Sequence, residues 1–175
     1  MKVAVLCNGP SRVVYKGRAD YEYVIGCNIP WSEDVEATVV LDENVIEKWW
    51  KTKELIKVPV YISRRAWRGC INRQRQFFTP FIVKMIETEQ EYDSSGHNAV
   101  KVVLEMGATQ IDIYGCDSMF QETTMSYTNN FVHKAEFKNV SKQVNGWRNR
   151  WERIITKHPE VRFNFIGEND EIISY

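Results

Sequence analysis

The chain has 175 residues, enough for one domain with a proper core, and at 43% hydrophobic and 26% charged residues its composition is that of a globular protein. Lys and Arg number 23, as do Asp and Glu, so no net field draws it to nucleic acid or to an anionic membrane. No apolar run approaches the roughly 20 residues of a membrane span, and the short run after Lys2 reads as a strand rather than a targeting segment, so a cytoplasmic protein is expected.

The first predicted strand, Val3–Leu6, runs into Cys7-Asn8-Gly9-Pro10-Ser11. A strand feeding such a turn offers small residues and backbone N–H groups to a phosphate or sugar, and Ser11 is placed to cap a following helix. Further apolar, β-branched runs predict strands at Tyr23–Gly26, Thr38–Leu41, Val58–Ile62, Ile82–Ile86, Ile111–Tyr114 and Val161–Ile166. Asp42 follows the third strand, where it could accept from ribose hydroxyls or cap the helix holding Trp49 and Trp50. From Arg64 to Pro80 the pattern is least regular, with Arg64, Arg65, Arg68, Arg73 and Arg75 among Trp67, Phe77 and Phe78; such a segment could bind phosphate or nucleic acid, but a solvated loop anchored by its aromatics is expected.

Ser94-Ser95-Gly96 opens a helix beginning near His97, in which Ala99, Val102, Val103 and Met106 share a face before Gly107 ends it. Its unpaired N–H groups suit an anion, although Ser94 or Ser95 could simply cap it. His97 reads as a surface residue whose charged form the helix dipole disfavours. Asp117, beyond Gly115-Cys116, could orient a substrate hydroxyl, hold a metal or cap a turn. Residues 118–139 are expected to form a lid carrying Tyr127 and His133, whose ordinary pKa of about 6.5 suits a general base. Val140–Lys157 reads as a long helix with Val144, Trp147, Trp151 and Ile154 on one stripe. The four cysteines are scattered and lack Cys-x-x-Cys spacing, so reduced, buried thiols are expected and a structural zinc site is not.

Strands alternating with helices predict a mostly parallel α/β sheet with helices on both faces, one nucleotide-sized site lying beyond the carboxyl ends of the strands.

Taken in order, Asn8-Gly9-Pro10-Ser11, Cys27-Asn28, Ser94-Ser95-Gly96 with its helix, Met106-Gly107 leading into Ile111-Asp112-Ile113-Tyr114-Gly115-Cys116-Asp117, and the final strand Val161–Gly167 resemble the bacterial lipooligosaccharide sialyltransferase family and the related 6-hydroxymethylpterin diphosphokinase-like proteins. The resemblance implies a single Rossmann-like domain over residues 1–175 that holds a nucleotide, in the sialyltransferases the CMP of CMP-sialic acid. Asn8, Gly9, Pro10, Ser11, Asn28, Asp42, Ser94, Ser95 and Gly96 would bind it. His133 would act as base toward a small acceptor, Tyr127 would steady the leaving phosphate, and Asp117 would complete the catalytic set. The family's first phosphate-binding Tyr is matched here by Met119 or Phe120, and its Asn after the third strand by Asp42. Sialyl transfer of this type needs no metal cofactor. A diphosphotransferase of the second type would need Mg²⁺, with Asp42 and Asp117 as ligands and the basic segment from Arg64 to Arg75 on the phosphates. A third reading is an inactive relative serving as a nucleotide sensor or protein-binding module. Neither nucleic acid nor a membrane span is expected, and oligomerisation is left open.

Overall fold

A computed structural model describes residues 1–29, 34–52, 56–88, 93–122 and 140–175. Its sheet has eight strands in the order β5-β4-β3-β2-β1-β6-β7-β8. These are β1 (Lys2–Leu6), β2 (Tyr23–Cys27), β3 (Ala37–Val40), β4 (Val60–Ser63), β5 (Ile82–Ile86), β6 (Gln110–Tyr114), β7 (Arg162–Ile166) and β8 (Ile172–Ser174). Every pairing is parallel except that of β7 with β8. The chain leaves β1 toward β2 and returns past it to β6, so the strand order reverses between β1 and β6. In open sheets of this kind ligands bind beyond the carboxyl ends of the strands, near such a reversal.

Register places alternate residues on two differently covered faces. On one, Val3, Val5, Ile25, Val39, Ile111, Ile113, Phe163 and Phe165 pack under α4 (Ser95–Glu105) and α5 (Val140–Lys157), through Ala99, Val103, Trp151 and Ile154. On the other, Val40, Val60 and Ile62 lie under α1 (Glu43–Thr52), α2 (Arg64–Gly69) and α3 (Asn72–Phe78), which supply Trp49, Ala66 and Phe78. Nearer β6 that second face turns polar: the buried Asp112 accepts from Asn164 Nδ2 at 2.7 Å, Tyr21 Oη at 3.0 Å and Gln110 Nε2 at 3.2 Å. The mostly parallel sheet with helices on both faces is thus as expected.

Three expectations need correction. The segment from Arg64 to Pro80 is not an irregular loop: Ser63 caps α2, its Oγ accepting from Ala66 N at 2.9 Å while donating to the Leu41 carbonyl at 2.6 Å, and α3 follows directly. Arg75 lies over the Trp67 ring and donates to the Trp67 and Arg68 carbonyls, so the aromatics do anchor this basic segment. Ser11 caps no helix; Gly9 is the N-cap of a short 3₁₀ turn, Pro10–Val14, with Pro10 opening it. His97 is not on the surface but wholly buried under Trp147 and Trp151. No helix among the described residues is long and apolar enough to cross a membrane.

Candidate functional site at the strand-order reversal

The loops after β1 and β6 interlock. Gly9 N–H donates to the Gly115 carbonyl at 2.8 Å, Gly115 N–H to Ser11 Oγ at 3.0 Å, and Ser11 N–H to the Asp117 carboxylate at 3.2 Å. Gly115 takes φ +70°, and a Cβ there would stand 2.6 Å from the Cys7 carbonyl oxygen, so both its conformation and its closeness require glycine. These bonds occupy the Gly9 and Ser11 donors within the protein, and Pro10 has none. The Asn8 side chain remains: among the described residues, its buried Oδ1 has no hydrogen-bond partner. Few buried acceptors go unanswered in folded proteins, so one at the carboxyl edge of the sheet is a candidate to meet a ligand's donor or a water.

The second small-residue junction arrives from α4. Ser94 caps the helix, and Gly96 sits on the end of β1: a Cβ at Gly96 would stand 2.6 Å from Cys7 Sγ. Asn28, at the end of β2 with φ +61°, accepts from Ser95 Oγ at 3.3 Å. The Asn8 turn, Asn28 and the Ser95-Gly96 helix start therefore converge around Cys7, although their sequence positions lie far apart.

The α4 terminus is braced from behind. His97 Nδ1 accepts from Ser94 N–H at 3.0 Å and its Nε2 meets the Trp147 carbonyl at 3.2 Å, which fixes a neutral ring with its proton on Nε2. Burial drives its pKa down to about 3. Asp93, whose side chain is fully buried, takes Arg150 Nε at 2.7 Å and Lys101 Nζ at 3.2 Å, tying α5 to the start of α4.

Burial raises the Asp117 carboxyl above the usual range, against the lowering pull of the Ser11 N–H, with Glu168 adding to the rise. Asp42 lies half-buried at the end of β3, its carbonyl accepting from Val45 N–H at 3.2 Å. Among the described residues, no three His, Cys, Asp or Glu side chains gather as a metal-holding group. Four reduced cysteines are buried, and Cys7, Cys27 and Cys116 meet at the carboxyl ends of β1, β2 and β6.

Of the expected lid at 118–139, residues 118–122 are described: Asp117–Met119 is a 3₁₀ turn, and Arg148 of α5 donates to the Ser118 carbonyl at 2.6 Å and to that of Gln121 at 3.0 Å. Tyr127 and His133 lie outside the described residues. Sequence reasoning missed Arg12, Asp93 and Arg150. Arg12 follows the turn directly, but its bond to the Cys7 carbonyl, at 3.4 Å, appears only once the turn is folded.

No protein-family model matches this sequence, and no match is found among curated proteins. Among solved structures, the chain is similar to the sialyltransferase CST-II in complex with a trisaccharide acceptor and CMP: TM-score 0.54, 16% identity, over 97% of this chain and 82% of that one. It also matches thiamine pyrophosphokinase from Bacillus subtilis at TM-score 0.42 and 10% identity, over 96% of this chain and 61% of that one. The likeness to CST-II establishes a shared Rossmann-like α/β fold.

Proposed function

We propose that this chain binds a cytidine nucleotide at the β1–β6 reversal and acts as a glycosyltransferase on a CMP-linked sugar. The observation that carries the reading is the convergence of Asn8, Asn28 and the Ser95-Gly96 helix start at the carboxyl ends of β1 and β2, with Asn8 Oδ1 buried and without a partner among the described residues. Asn8 accepts from a donor on the nucleotide, and the N–H groups at the start of α4 meet its charge. Asn28 and Asp42 address the ribose or base. CST-II, which shares the fold, holds CMP in its crystal structure.

In the proposed reaction an acceptor hydroxyl oxygen attacks the anomeric carbon. The bond from that carbon to the phosphate oxygen breaks with its electron pair leaving on the phosphate, and His133 takes the acceptor's proton. Tyr127 donates to the departing phosphate. Asp117 acts indirectly, holding the Ser11 N–H and so the shape of the Asn8 turn.

Calorimetric titration with CMP, UMP, GMP and AMP tests the binding step. CMP is expected to bind most tightly, and Asn8→Ala to weaken it by about tenfold, the loss of one good hydrogen bond. Failure of the wild-type chain to bind any of the four overturns the reading. With CMP-sialic acid as donor, His133→Ala is expected to abolish transfer; undiminished transfer removes the base assignment.

A further inference from the structure

Two groups on the turn after β1 keep unused hydrogen-bonding capacity among the described residues. One is Asn8 Oδ1, already described. The other is the Arg12 guanidinium, which donates to the Cys7 carbonyl but has no ion pair among the described residues. Burial lowers the Arg12 pKa from its usual value, and only then do the Cys27 and Cys7 thiols, Tyr15 and the Asp34 carboxylate pull it back. The Cys7 bond and these neighbours place the cation near the ends of β1 and β2, where Asn8 and Asn28 follow. Arg12 is half-buried, and a partly desolvated charge gains from an anion that meets it.

A guanidinium presents five N–H donors in a planar fork, matched to two oxygens of one phosphate, and the Cys7 bond uses one of them. An unanswered acceptor and an unpaired cation on one turn call for a ligand carrying both an anion and a hydroxyl or amino donor. A nucleoside monophosphate carries both.

We infer that Arg12 is the counter-cation of this site: its guanidinium binds the phosphoryl oxygens of the ligand and gives the site its preference for a phosphorylated ligand over the free nucleoside. The inference deepens the nucleotide reading and rests on it for the identity of the ligand, while the role of Arg12 as an anion-binding residue is separately testable.

The experiment is calorimetric titration of wild type, Arg12→Gln and Arg12→Lys with CMP, cytidine and inorganic pyrophosphate. Arg12→Gln is expected to weaken CMP and pyrophosphate by about 10- to 100-fold, the range for hydrogen bonds to a charged group, and to leave cytidine unchanged. Arg12→Lys keeps the charge but not the fork, and is expected to lose an intermediate amount for CMP. If Arg12→Gln fails to fold, that selective loss in Arg12→Lys supports the inference, and equal affinity of Arg12→Lys and wild type for CMP overturns it. CMP binding undiminished in Arg12→Gln, or an equal loss for CMP and cytidine, overturns the Arg12 assignment and leaves the nucleotide reading standing. Pyrophosphate binding lost in Arg12→Gln, with neither cytidine compound bound by wild type, supports Arg12 and overturns the nucleotide reading. No binding of any of the three overturns both.

Discussion

The α-carbon of Gly9 lies directly against the carboxylate of Asp117, closely enough that any side chain at position 9 would overlap Asp117 Oδ2. The same carboxylate accepts the Ser11 N–H, so one buried acid shapes the turn from both sides. Gly9→Ala is expected to destabilise the fold by about 1–3 kcal/mol, the usual cost of overpacking, read as a lower urea midpoint at unchanged slope. A second clash remains when Asp117 is also cut back, since the Gly115 carbonyl oxygen would stand 2.5 Å from the new Cβ. The pair Gly9→Ala, Asp117→Ala should therefore couple favourably in a double-mutant cycle without recovering wild-type stability. Strict additivity would show that the carboxylate does not press on Gly9.

Asp93 joins α4 and α5 through a buried ion pair with Arg150 and a more exposed one with Lys101. The two contributions should differ sharply. Asp93→Ala removes a fully buried carboxylate from the buried Arg150 and is expected to cost several times more than Lys101→Ala, which removes a partly solvated partner and should cost about 1 kcal/mol or less. Chemical denaturation of the two variants checks this, and a small loss in Asp93→Ala would mean that water or another group readily replaces the carboxylate.

Much of this fold could be read because parallel strands buried on both faces leave dense apolar runs: Ile82–Ile86 was placed to the residue, and the others within one or two residues at either end. The strand Ile172–Ser174 escaped because three residues carry no periodicity; it forms only by pairing with β7. α2 and α3 escaped for a related reason, since helices of six and seven residues depend on the Ser63 cap and on burying Ala66 and Phe78 against the sheet. The convergence of Asn8, Asn28 and Ser95 was foreseeable, as each stands at a carboxyl edge or a helix start. The burial of His97 was not, because its cover comes from Trp147 and Trp151, some fifty residues on, and Asp93 meets Arg150 across a similar gap, 57 residues.

Asn28 separates backbone from side-chain roles. It holds φ +61°, a conformation that costs most residues about 1–2 kcal/mol but costs Gly little. Asn28→Gly should therefore keep the backbone and stay within about 1 kcal/mol of wild type in stability, while Asn28→Ala adds strain and falls further. CMP affinity, measured by calorimetry, should drop in both variants, since both remove the amide that meets Ser95. Full affinity in Asn28→Gly would leave the side chain without a part in binding.

His97 gives the fold a specific sensitivity to acid. Its folded pKa is about 3, depressed first by burial, against about 6.5 in the unfolded chain. Between these values the unfolded state binds the extra proton, so stability is fully present above pH 6.5 and falls as pH drops toward 3, by up to about 1.4 kcal/mol per unit. Asp117 works in the opposite sense: its raised carboxyl pKa favours the folded state as pH falls through the raised value toward 3.8, so it offsets part of the loss only at the acid end of the window. His97→Gln isolates the histidine, because Gln at the third helical position can still accept the Ser94 N–H in a capping box without titrating. That variant is expected to be less stable than wild type at pH 7, having lost the packing on Trp151, yet to lose less stability between pH 7 and pH 5. Urea midpoints at half-unit pH steps read the difference, and parallel pH profiles for the two proteins would show that His97 takes up no proton on unfolding.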